Sequence, residues 1–263
     1  MGAVIVAFSG GVDSTFLLKV AIDTLGERAV AVTATSSTYP SFELEQARSL
    51  ATLFAARHLI IESEELDIPE FRGNPPNRCY FCKKELFGKL IKIGETMNIP
   101  WVVDGNNSDD IFDFRPGRVA AEELGVRSPL VEAGLVKDEI RVLSRKLGIP
   151  TWNKGSYACL SSRFPYGNEI TEEGLKKIEA CEAYLIEKGF RQFRVRHHDS
   201  VARIEVGQDE MERFLDPSIR KEVSERFREL GYTFVSLDLE GYRAGSMNVT
   251  IEGDAHRTKE KGS

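Results

Sequence analysis

Four short apolar runs in the first half of the chain constrain its fold more than any other feature. Each run is continuous rather than alternating, and the four cover residues 4–8, 29–32, 59–61 and 101–103. Strands buried on both faces have this pattern, and they form parallel sheets with helices on either side. Amphipathic stretches between and after the runs predict helices over residues 14–25, 41–57, 84–97 and 137–147. We therefore predict a doubly wound parallel α/β domain over residues 1–155.

The pattern changes after Pro150. A helix is predicted over residues 172–188, and strands are predicted over residues 193–196, 201–206 and 234–240. The alternation places Phe193 and Val195 on one face of the first strand and Arg194 and Arg196 on the other. One apolar and one charged face are typical of a small α+β domain, predicted here over residues 156–263. The simplest interpretation of the charged face is that it is solvated.

Composition places the chain among ordinary globular proteins. Of its 263 residues 41% are hydrophobic and 29% charged, and 35 Lys and Arg against 41 Asp and Glu give a net charge of −6. This excludes a disordered or fibrous protein, and no apolar run approaches the roughly 18 residues that span a bilayer. Residues 3–8 are too short for a signal peptide's apolar core, so we expect a cytoplasmic protein without a membrane partner. The negative charge disfavours a nucleic-acid partner.

Residues 9–14, Ser-Gly-Gly-Val-Asp-Ser, join the first predicted strand to the first helix. Glycines allow a tight turn, free N–H groups at a helix start attract anions, and Asp13 could hold Mg²⁺ between phosphates. The segment is neither a Walker A loop nor a dinucleotide fingerprint. It resembles the pyrophosphate loop (PP-loop) of the HUP-like ATP pyrophosphatases, which adenylate a substrate; a plain structural turn is the alternative. The resemblance implies ATP contacts from Ala7, Ser9, Gly10, Gly11, Asp13 and Ser14.

Two further segments are predicted at the carboxyl ends of strands, where open α/β sheets bind ligands. The PP-loop family places the adenine near the end of the second strand, which here implies Thr33 and Ser37. The loop after the fourth strand contains Gly105 and Asn106 within residues 104–110. The alternative for this loop is an ordinary turn rich in Asp, Asn and Gly.

Three of the four cysteines form a candidate metal site. Cys79 and Cys82 are a CxxC pair, which by itself is compatible with a redox pair, half a zinc site or half an iron–sulfur site. Neither a second CxxC nor a His pair follows, so Cys159 is the remaining candidate ligand. Three thiolates would hold a [4Fe–4S] cluster and leave one iron open. An idle, reduced pair is the alternative, and Cys181 is predicted to be a buried core thiol.

Motifs along nearly the whole chain resemble the LarE family. They are Arg-Pro-Gly at 115–117, Ser-Pro-Leu at 128–130, Lys-Asp-Glu-Ile-Arg at 137–141, Ala-Cys-Leu-Ser-Ser-Arg at 158–163 and Leu-Glu-Gly-Tyr-Arg-Ala-Gly-Ser-Met-Asn at 239–248. The last two are the most specific. The resemblance implies an enzyme that adenylates the carboxylates of pyridinium-3,5-biscarboxylic acid mononucleotide with ATP and converts them to thiocarboxylates for the nickel-pincer cofactor of lactate racemase.

The resemblance also implies how sulfur arrives. In one branch of the family the cysteine matching Cys159 gives up its own sulfur, and that branch lacks the CxxC. Cys79 and Cys82 place this sequence with the branch in which three cysteines hold a [4Fe–4S] cluster that carries sulfide. Cys159 and Asp13 are the implied catalytic residues. Family members form homo-oligomers, with hexamers as precedent, and the sulfide donor is left open.

The resemblance assigns a set of charged residues to the mononucleotide substrate. Arg194 and Arg196 match phosphate-binding arginines, for which a guanidinium pair is suited, and Arg163 is a third candidate. Glu182 and Glu205 match acidic residues of the substrate pocket, although helix position alone also allows a solvent-facing Glu182.

Three other functions remain as alternatives. A PP-loop tRNA thiolase shares the three-cysteine plan, but it needs a basic face for tRNA that the net charge does not favour. An ATP-dependent amidotransferase or synthetase would use the loop without the cysteines. A nucleotide-binding regulatory protein would bind ATP without releasing pyrophosphate.

Overall fold

The computed structural model of the chain describes residues 1–111, 116–155, 157–243 and 245–248. Arg115 and Ala244, which belong to two of the sequence motifs, lie outside these ranges. The chain divides into two compact units. The first contains Met1–Phe71 and Asn77–Tyr157, and the second contains Arg72–Pro76 and the described residues from Ala158 onward.

Strands and helices alternate through the first unit and regroup in the second. In chain order they are β1 (Val4–Ala7), α1 (Val12–Leu25), β2 (Ala29–Thr35), α2 (Ser41–Leu53), β3 (Arg57–Glu62), α3 (Pro69–Arg72), α4 (Arg78–Met97), β4 (Val102–Val103), α5 (Pro116–Glu123), α6 (Pro129–Glu132), α7 (Lys137–Lys146), α8 (Glu172–Glu187), β5 (Phe193–His198), β6 (Val201–Val206), α9 (Pro217–Glu229) and β7 (Phe234–Leu237). Of the described helices, none has the length and apolar composition needed to cross a membrane.

The first unit is built on a parallel sheet with strand order β3-β2-β1-β4. Alternate residues of β1 point to opposite faces, and both faces are covered. Val4 and Val6 pack in one core with Ile140 of α7, whereas Ile5 packs in another core with Phe87 of α4. Burial of each large apolar side chain contributes about 1.5–3 kcal/mol, which accounts for the continuous apolar runs. The predicted doubly wound α/β fold is confirmed.

The second unit contains a smaller sheet with strand order β5-β6-β7, in which β5 and β6 are antiparallel and β6 and β7 parallel. Helix α8 begins after Thr171, whose side chain accepts a hydrogen bond from the Gly174 N–H. Phe193 and Val195 of β5 are fully buried. Arg194 on the other side of the strand is only 5% exposed. The charged face is therefore covered rather than solvated, within the predicted α+β architecture, which is confirmed.

Several predicted boundaries were wrong. Helix α2 ends at Leu53 rather than at residue 57, because Ala55 has a positive φ of 49° and Arg57 already pairs with Val30 in the sheet. Helix α4 begins at Arg78 rather than at residue 84. Strand β7 ends at Leu237 rather than at residue 240.

Candidate functional site

The loop between β1 and α1 has the geometry of an anion-binding turn. Gly10 has a φ of +69°, a left-handed conformation that other residues adopt rarely, and an added Cβ would lie 3.4 Å from Ala47 of α2. Gly11 is the N-cap of α1, and no side chain caps this helix start. The first N–H groups of a helix have no partner within it and attract anions. Ala7, half-buried, is the last residue of β1.

Two serine hydroxyls lie at this turn. The Ser9 and Ser14 Oγ atoms are 3.1 Å apart, and the Ser14 Oγ accepts a hydrogen bond from the Ser9 N–H at 3.3 Å. The Gly11 N–H faces the Ser9 Oγ at 3.4 Å. The loop therefore brings hydroxyl and amide donors to the same place, as a phosphate group requires.

Asp13 lies in the first turn of α1, and its two carboxylate oxygens differ in their contacts. Its Oδ2 pairs with the Nζ of Lys137, the first residue of α7. Its Oδ1 is buried and has no hydrogen-bond partner among the described residues. An unsatisfied carboxylate oxygen beside an anion-binding turn fits a hard cation such as Mg²⁺, which prefers oxygen ligands.

The other two predicted nucleotide segments also lie at this end of the sheet. Thr33 is buried in β2, and its hydroxyl donates to the Phe8 carbonyl at 2.7 Å, whereas Ser37 beyond the strand is exposed. A Cβ on Gly105 would lie 2.8 Å from the Ser14 nitrogen, so the loop after β4 packs directly on the start of α1. The structure thus brings Gly105 to residues 9–14.

Asp104 fixes the loop after β4. Its carboxylate accepts hydrogen bonds from the Ser128 hydroxyl at 2.7 Å and from the Asn106 side chain at 2.6 Å. Burial raises the pKa of Asp104, and the hydrogen bond from Ser128 works against that shift. Asn106, half-buried, is therefore held by a local network and points its amide N–H groups at Asp104.

The three candidate metal ligands are divided between the two units. Cys79 is exposed and Cys82 half-buried in the first turn of α4, and a spacing of three residues puts them on the same side of the helix. Cys159 is half-buried in the second unit, and Cys181, also there, is fully buried. Accessible thiols are the donors that iron–sulfur clusters use, so the two helix cysteines fit such a group. Among the described residues no group of three or more His, Cys, Asp or Glu is assembled to hold a metal ion.

Arg163 and Glu182 form a fully buried ion pair in the second unit. The Arg163 Nε and Nη2 donate to the two carboxylate oxygens of Glu182 at 2.8 and 2.9 Å. The Nη1 donates to the carbonyls of Ala158 and Cys159 at 2.9 and 3.2 Å. Burial works to lower the pKa of Arg163, but Glu182 outweighs it and the pKa is raised. Arg163 therefore holds the backbone around Cys159.

A second buried pair joins Arg196 to Glu205. The Arg196 Nη2 donates to Glu205 at 2.7 Å and to the Ser246 hydroxyl at 2.9 Å, while Nη1 donates to the Ser162 carbonyl at 2.9 Å. Glu205 also pairs with Arg203 at 3.3 Å. The sheet face that carries Arg196 is thus a network of charges in contact with one another.

Arg194 contacts an aromatic ring and a backbone carbonyl. Its guanidinium carbon lies 5.0 Å from the centre of the Tyr242 ring, and its Nη1 donates to the Phe193 carbonyl at 2.6 Å. Burial lowers the pKa of Arg194, and the nearby positive charge of Arg163 lowers it further. An added anion would therefore stabilise the charged form of this side chain.

Sequence reasoning missed three residues that contact the glycine loop or its aspartate, and a fourth that pairs with one of them. Lys137 pairs with Asp13, Tyr39 and Lys154 donate to loop carbonyls, and Glu43 pairs with Lys154. Lys137 lies in one of the quoted motifs, which was the one available signal. The other three come from separate segments without a local pattern.

The fold and the loop define the class of the protein: a HUP-like α/β protein with a glycine-rich turn between its first strand and first helix. The chain is 39% identical, over 94% of its length and 90% of the relative, to the pyridinium-3,5-bisthiocarboxylic acid mononucleotide synthase of Lactiplantibacillus plantarum. It belongs to the LarE family.

Two relatives without an assigned function match equally widely. An uncharacterised protein of Synechocystis is 44% identical over 94% of this chain and 92% of its own length. An uncharacterised protein of Methanocaldococcus jannaschii is 32% identical over 92% and 91%. No profile of a known protein family matches the chain.

Proposed function

We propose that the protein is an ATP-dependent sulfur transferase that converts the carboxylates of pyridinium-3,5-biscarboxylic acid mononucleotide to thiocarboxylates. The observation that carries this proposal is the similarity along nearly the whole chain to a relative whose name is that of the corresponding bisthiocarboxylic acid synthase. The glycine loop with its unsatisfied aspartate oxygen supports it independently.

Activation by ATP meets a chemical need. A carboxylate is a poor acceptor for a sulfur nucleophile because oxide would have to leave. In the proposed reaction a carboxylate oxygen bonds to the α-phosphorus of ATP as the bond to pyrophosphate breaks. A sulfide-level nucleophile then forms the C–S bond as AMP leaves. The N–H groups of Gly10 and Gly11 with the Ser9 and Ser14 hydroxyls would bind the phosphates, and Asp13 would hold Mg²⁺, which offsets phosphate charge.

Asp13, Ala7, Thr33, Ser37, Gly105 and Asn106 keep their predicted roles in ATP binding as part of this proposal. The position of Gly105 against Ser14 is the observation in favour, because it brings the loop after β4 to the phosphate turn.

We further propose that Cys79, Cys82 and Cys159 hold a [4Fe–4S] cluster. With three thiolate ligands such a cluster has one iron without a protein ligand, and that iron can carry sulfide. A cysteine side chain, in contrast, could give up its own sulfur only once. The exposure of Cys79 at the start of α4 supports this assignment. The alternative within the family is that Cys159 gives up its own sulfur.

The substrate phosphate is assigned to the charged sheet face of the second unit. Arg194 would be one contact, and its pKa, lowered by burial and by the charge of Arg163, supports this because an added anion would stabilise its charged form. Arg196 would add a second contact, and Arg163 would act by holding residues 158–163. Glu182 and Glu205 would line the pocket through the pairs described above. We place the reaction in the cytoplasm and expect a homo-oligomer.

The test uses anaerobically purified protein, the pyridinium mononucleotide, ATP and a sulfide source. We expect pyrophosphate release, a product whose mass reports replacement of oxygen by sulfur, and about four irons per chain. Release of pyrophosphate with ammonia incorporation, or thiolation of tRNA in place of the mononucleotide, would contradict the proposal.

Cysteine variants separate the two sulfur routes. Cys82→Ala should lower bound iron and sulfur transfer but spare pyrophosphate release, whereas the matched control Cys181→Ala, which removes a buried core thiol, should retain all three. Normal iron content in Cys82→Ala would remove that residue as a ligand. Dehydroalanine at position 159 after one turnover would instead establish Cys159 as the sulfur donor.

A further inference from the structure

Two side chains from separate segments donate hydrogen bonds to carbonyl groups of the glycine loop. The Tyr39 hydroxyl donates to the Ser9 carbonyl at 2.8 Å. The Lys154 Nζ donates to the Gly10 carbonyl at 3.1 Å. Neither carbonyl belongs to β1 or α1, so these side-chain bonds are made where regular secondary structure does not fix the backbone.

The geometry of the peptide bond makes these contacts consequential. In a planar trans peptide the C=O and the following N–H point in opposite directions. A donor that holds the Ser9 carbonyl therefore turns the Gly10 N–H to the other side, and a donor on the Gly10 carbonyl does the same for Gly11. The Ser9 and Ser14 hydroxyls lie on this second side, since the Gly11 N–H faces the Ser9 Oγ.

We infer that Tyr39 and Lys154 are positioning residues, which set two successive peptide planes so that the Gly10 and Gly11 N–H groups face a pyrophosphate group. The inference rests on the proposed use of ATP. It concerns residues that do not touch the phosphates themselves but determine whether the loop presents its donors to them.

Glu43 keeps Lys154 in place. The Lys154 Nζ lies 2.7 Å from the Glu43 carboxylate, and the two side chains are only 11% and 6% exposed. A charged donor polarises the peptide to which it is bonded, which strengthens the N–H at its other end. The pairing with Glu43 also balances the charge of this half-buried lysine.

The surroundings restrict alternative arrangements of the loop. Gly10 lies against Ala47 of α2, so the turn cannot retreat towards that helix. Burial raises the pKa of Tyr39, and the charge of Glu43 adds to the shift, which keeps the phenol protonated as a donor. The Tyr39 hydroxyl therefore remains a hydrogen-bond donor at neutral pH.

The experiment measures binding of magnesium pyrophosphate and of ATP by titration calorimetry, which separates the dissociation constant from the fraction of competent protein. Tyr39→Phe removes only the hydroxyl, and we expect it to raise the dissociation constants of both ligands about threefold to tenfold. The double variant Glu43→Gln with Lys154→Met removes the ion pair without leaving a buried charge, and we expect at least tenfold weaker binding. Lys154→Arg keeps a cationic donor and should recover part of the loss.

Tyr232→Phe is the matched control. It removes a tyrosine hydroxyl of the second unit, one that lies 2.8 Å from His197 Nδ1, and the pyrophosphate dissociation constant should not change. Unchanged constants at full stoichiometry in both loop variants, or an equal loss in Tyr232→Phe, would overturn the positioning role alone. Failure of the unmodified protein to bind either ligand would overturn the proposed use of ATP as well.

Discussion

The glycine loop of the first unit and the charged sheet face of the second differ in how their polar groups are satisfied. In the loop the donors that face outward are backbone amides and two hydroxyls, and a carboxylate oxygen of Asp13 has no partner among the described residues. In the second unit the charges of Arg163 and Arg196 are already paired with Glu182 and Glu205, although the Arg196 Nε is a buried donor without a partner among the described residues.

The two regions would therefore bind an anion in different ways. The loop offers dipoles that need no desolvation of a full charge, and a phosphate would replace long local bonds such as that of the Gly11 N–H to the Ser9 Oγ at 3.4 Å. The sheet face holds full charges in a low-dielectric setting, where each is tolerated only because a partner of opposite sign lies against it. A ligand there must compete with bonds that exist, and at Arg194, whose pKa is lowered by burial and by the charge of Arg163, an anion would favour the charged form.

The largest effect is expected from a substitution of Asp13, whose Oδ1 has no partner among the described residues. Asp13→Ala should reduce pyrophosphate release about a thousandfold with the fold intact, because the carboxylate is assigned to charge stabilisation on the phosphates. Asp23→Ala is the matched control, an aspartate of the same helix that pairs with Lys19 on the surface. Pyrophosphate release is the measurement, and equal rates in the two variants would remove the metal role of Asp13.

The second prediction tests whether the buried charges of the second unit depend on each other. Arg163→Met should lower the free energy of unfolding by about 3–5 kcal/mol, because it leaves Glu182 buried without its guanidinium partner. Arg163→Met with Glu182→Leu should recover part of that loss, because it removes the buried charge but leaves the Val195 N–H, which donates to Glu182 at 3.0 Å, without its acceptor. Denaturant titration measures both.

The control for the buried pair is an exposed one. Arg118 pairs with Glu122 at 2.8 Å with side chains 36% and 62% exposed, and Arg118→Met should cost less than about 0.5 kcal/mol. If Arg163→Met were as mild as Arg118→Met, the second unit would not rely on paired charges and the contrast with the loop would fail.

The parts of the fold set by local pattern could be predicted from sequence. The apolar runs gave the parallel sheet, and period two gave the apolar face of β5. Helices α5 and α9 were missed although each begins with a proline, a usual first helical residue, and α9 also has Asp216 as its N-cap. The end of α2 had no such signal, because the left-handed residue that closes the helix, with the Ala56 N–H donating to the Ala51 carbonyl at 2.9 Å, is Ala55 rather than the usual glycine.

The candidate site also has a part that local sequence predicts and a part that it does not. The glycine loop is contiguous, so its backbone conformation could be read from residues 9–14. The burial of Arg196 could not, because the groups that cover it, the Ser162 carbonyl and the Ser246 hydroxyl, are 34 and 50 residues away in sequence. The assigned roles of the site residues stay predictions.

A third prediction sharpens the packing of the loop. Gly105→Ala places a Cβ 2.8 Å from the Ser14 nitrogen and 3.0 Å from its Cα, so backbone must shift, and we expect a loss of about 1–3 kcal/mol. Gly88→Ala in α4 is the control, since a Cβ there meets nothing within 4 Å and helix propensity favours alanine. Thermal or denaturant unfolding of both variants provides the comparison, and a neutral Gly105→Ala would contradict close packing of the two segments.

The smallest effect is a pH dependence of opposite sign in the two units. Burial raises the pKa of Asp104 above its ordinary 3.8, so between that value and the folded pKa the native state binds more protons than the unfolded state, and stability falls as pH rises. Hydrogen bonds from Ser218 lower the pKa of Asp216, so its contribution is present above 3.8 and is lost as pH falls through the folded pKa.

Substitution by asparagine isolates each contribution. Asp104→Asn resembles the protonated form, so the variant should gain stability relative to the parent as pH rises through this window. Asp216→Asn retains a good N-cap but should lose stability relative to the parent as pH rises from the folded pKa to 3.8, and the difference should stay constant above that value. Urea midpoints across an acidic pH series measure both. The same sign in the two variants would mean that Asp104 is not destabilised by burial, and the loop side of the first unit would then resemble the satisfied charges of the second.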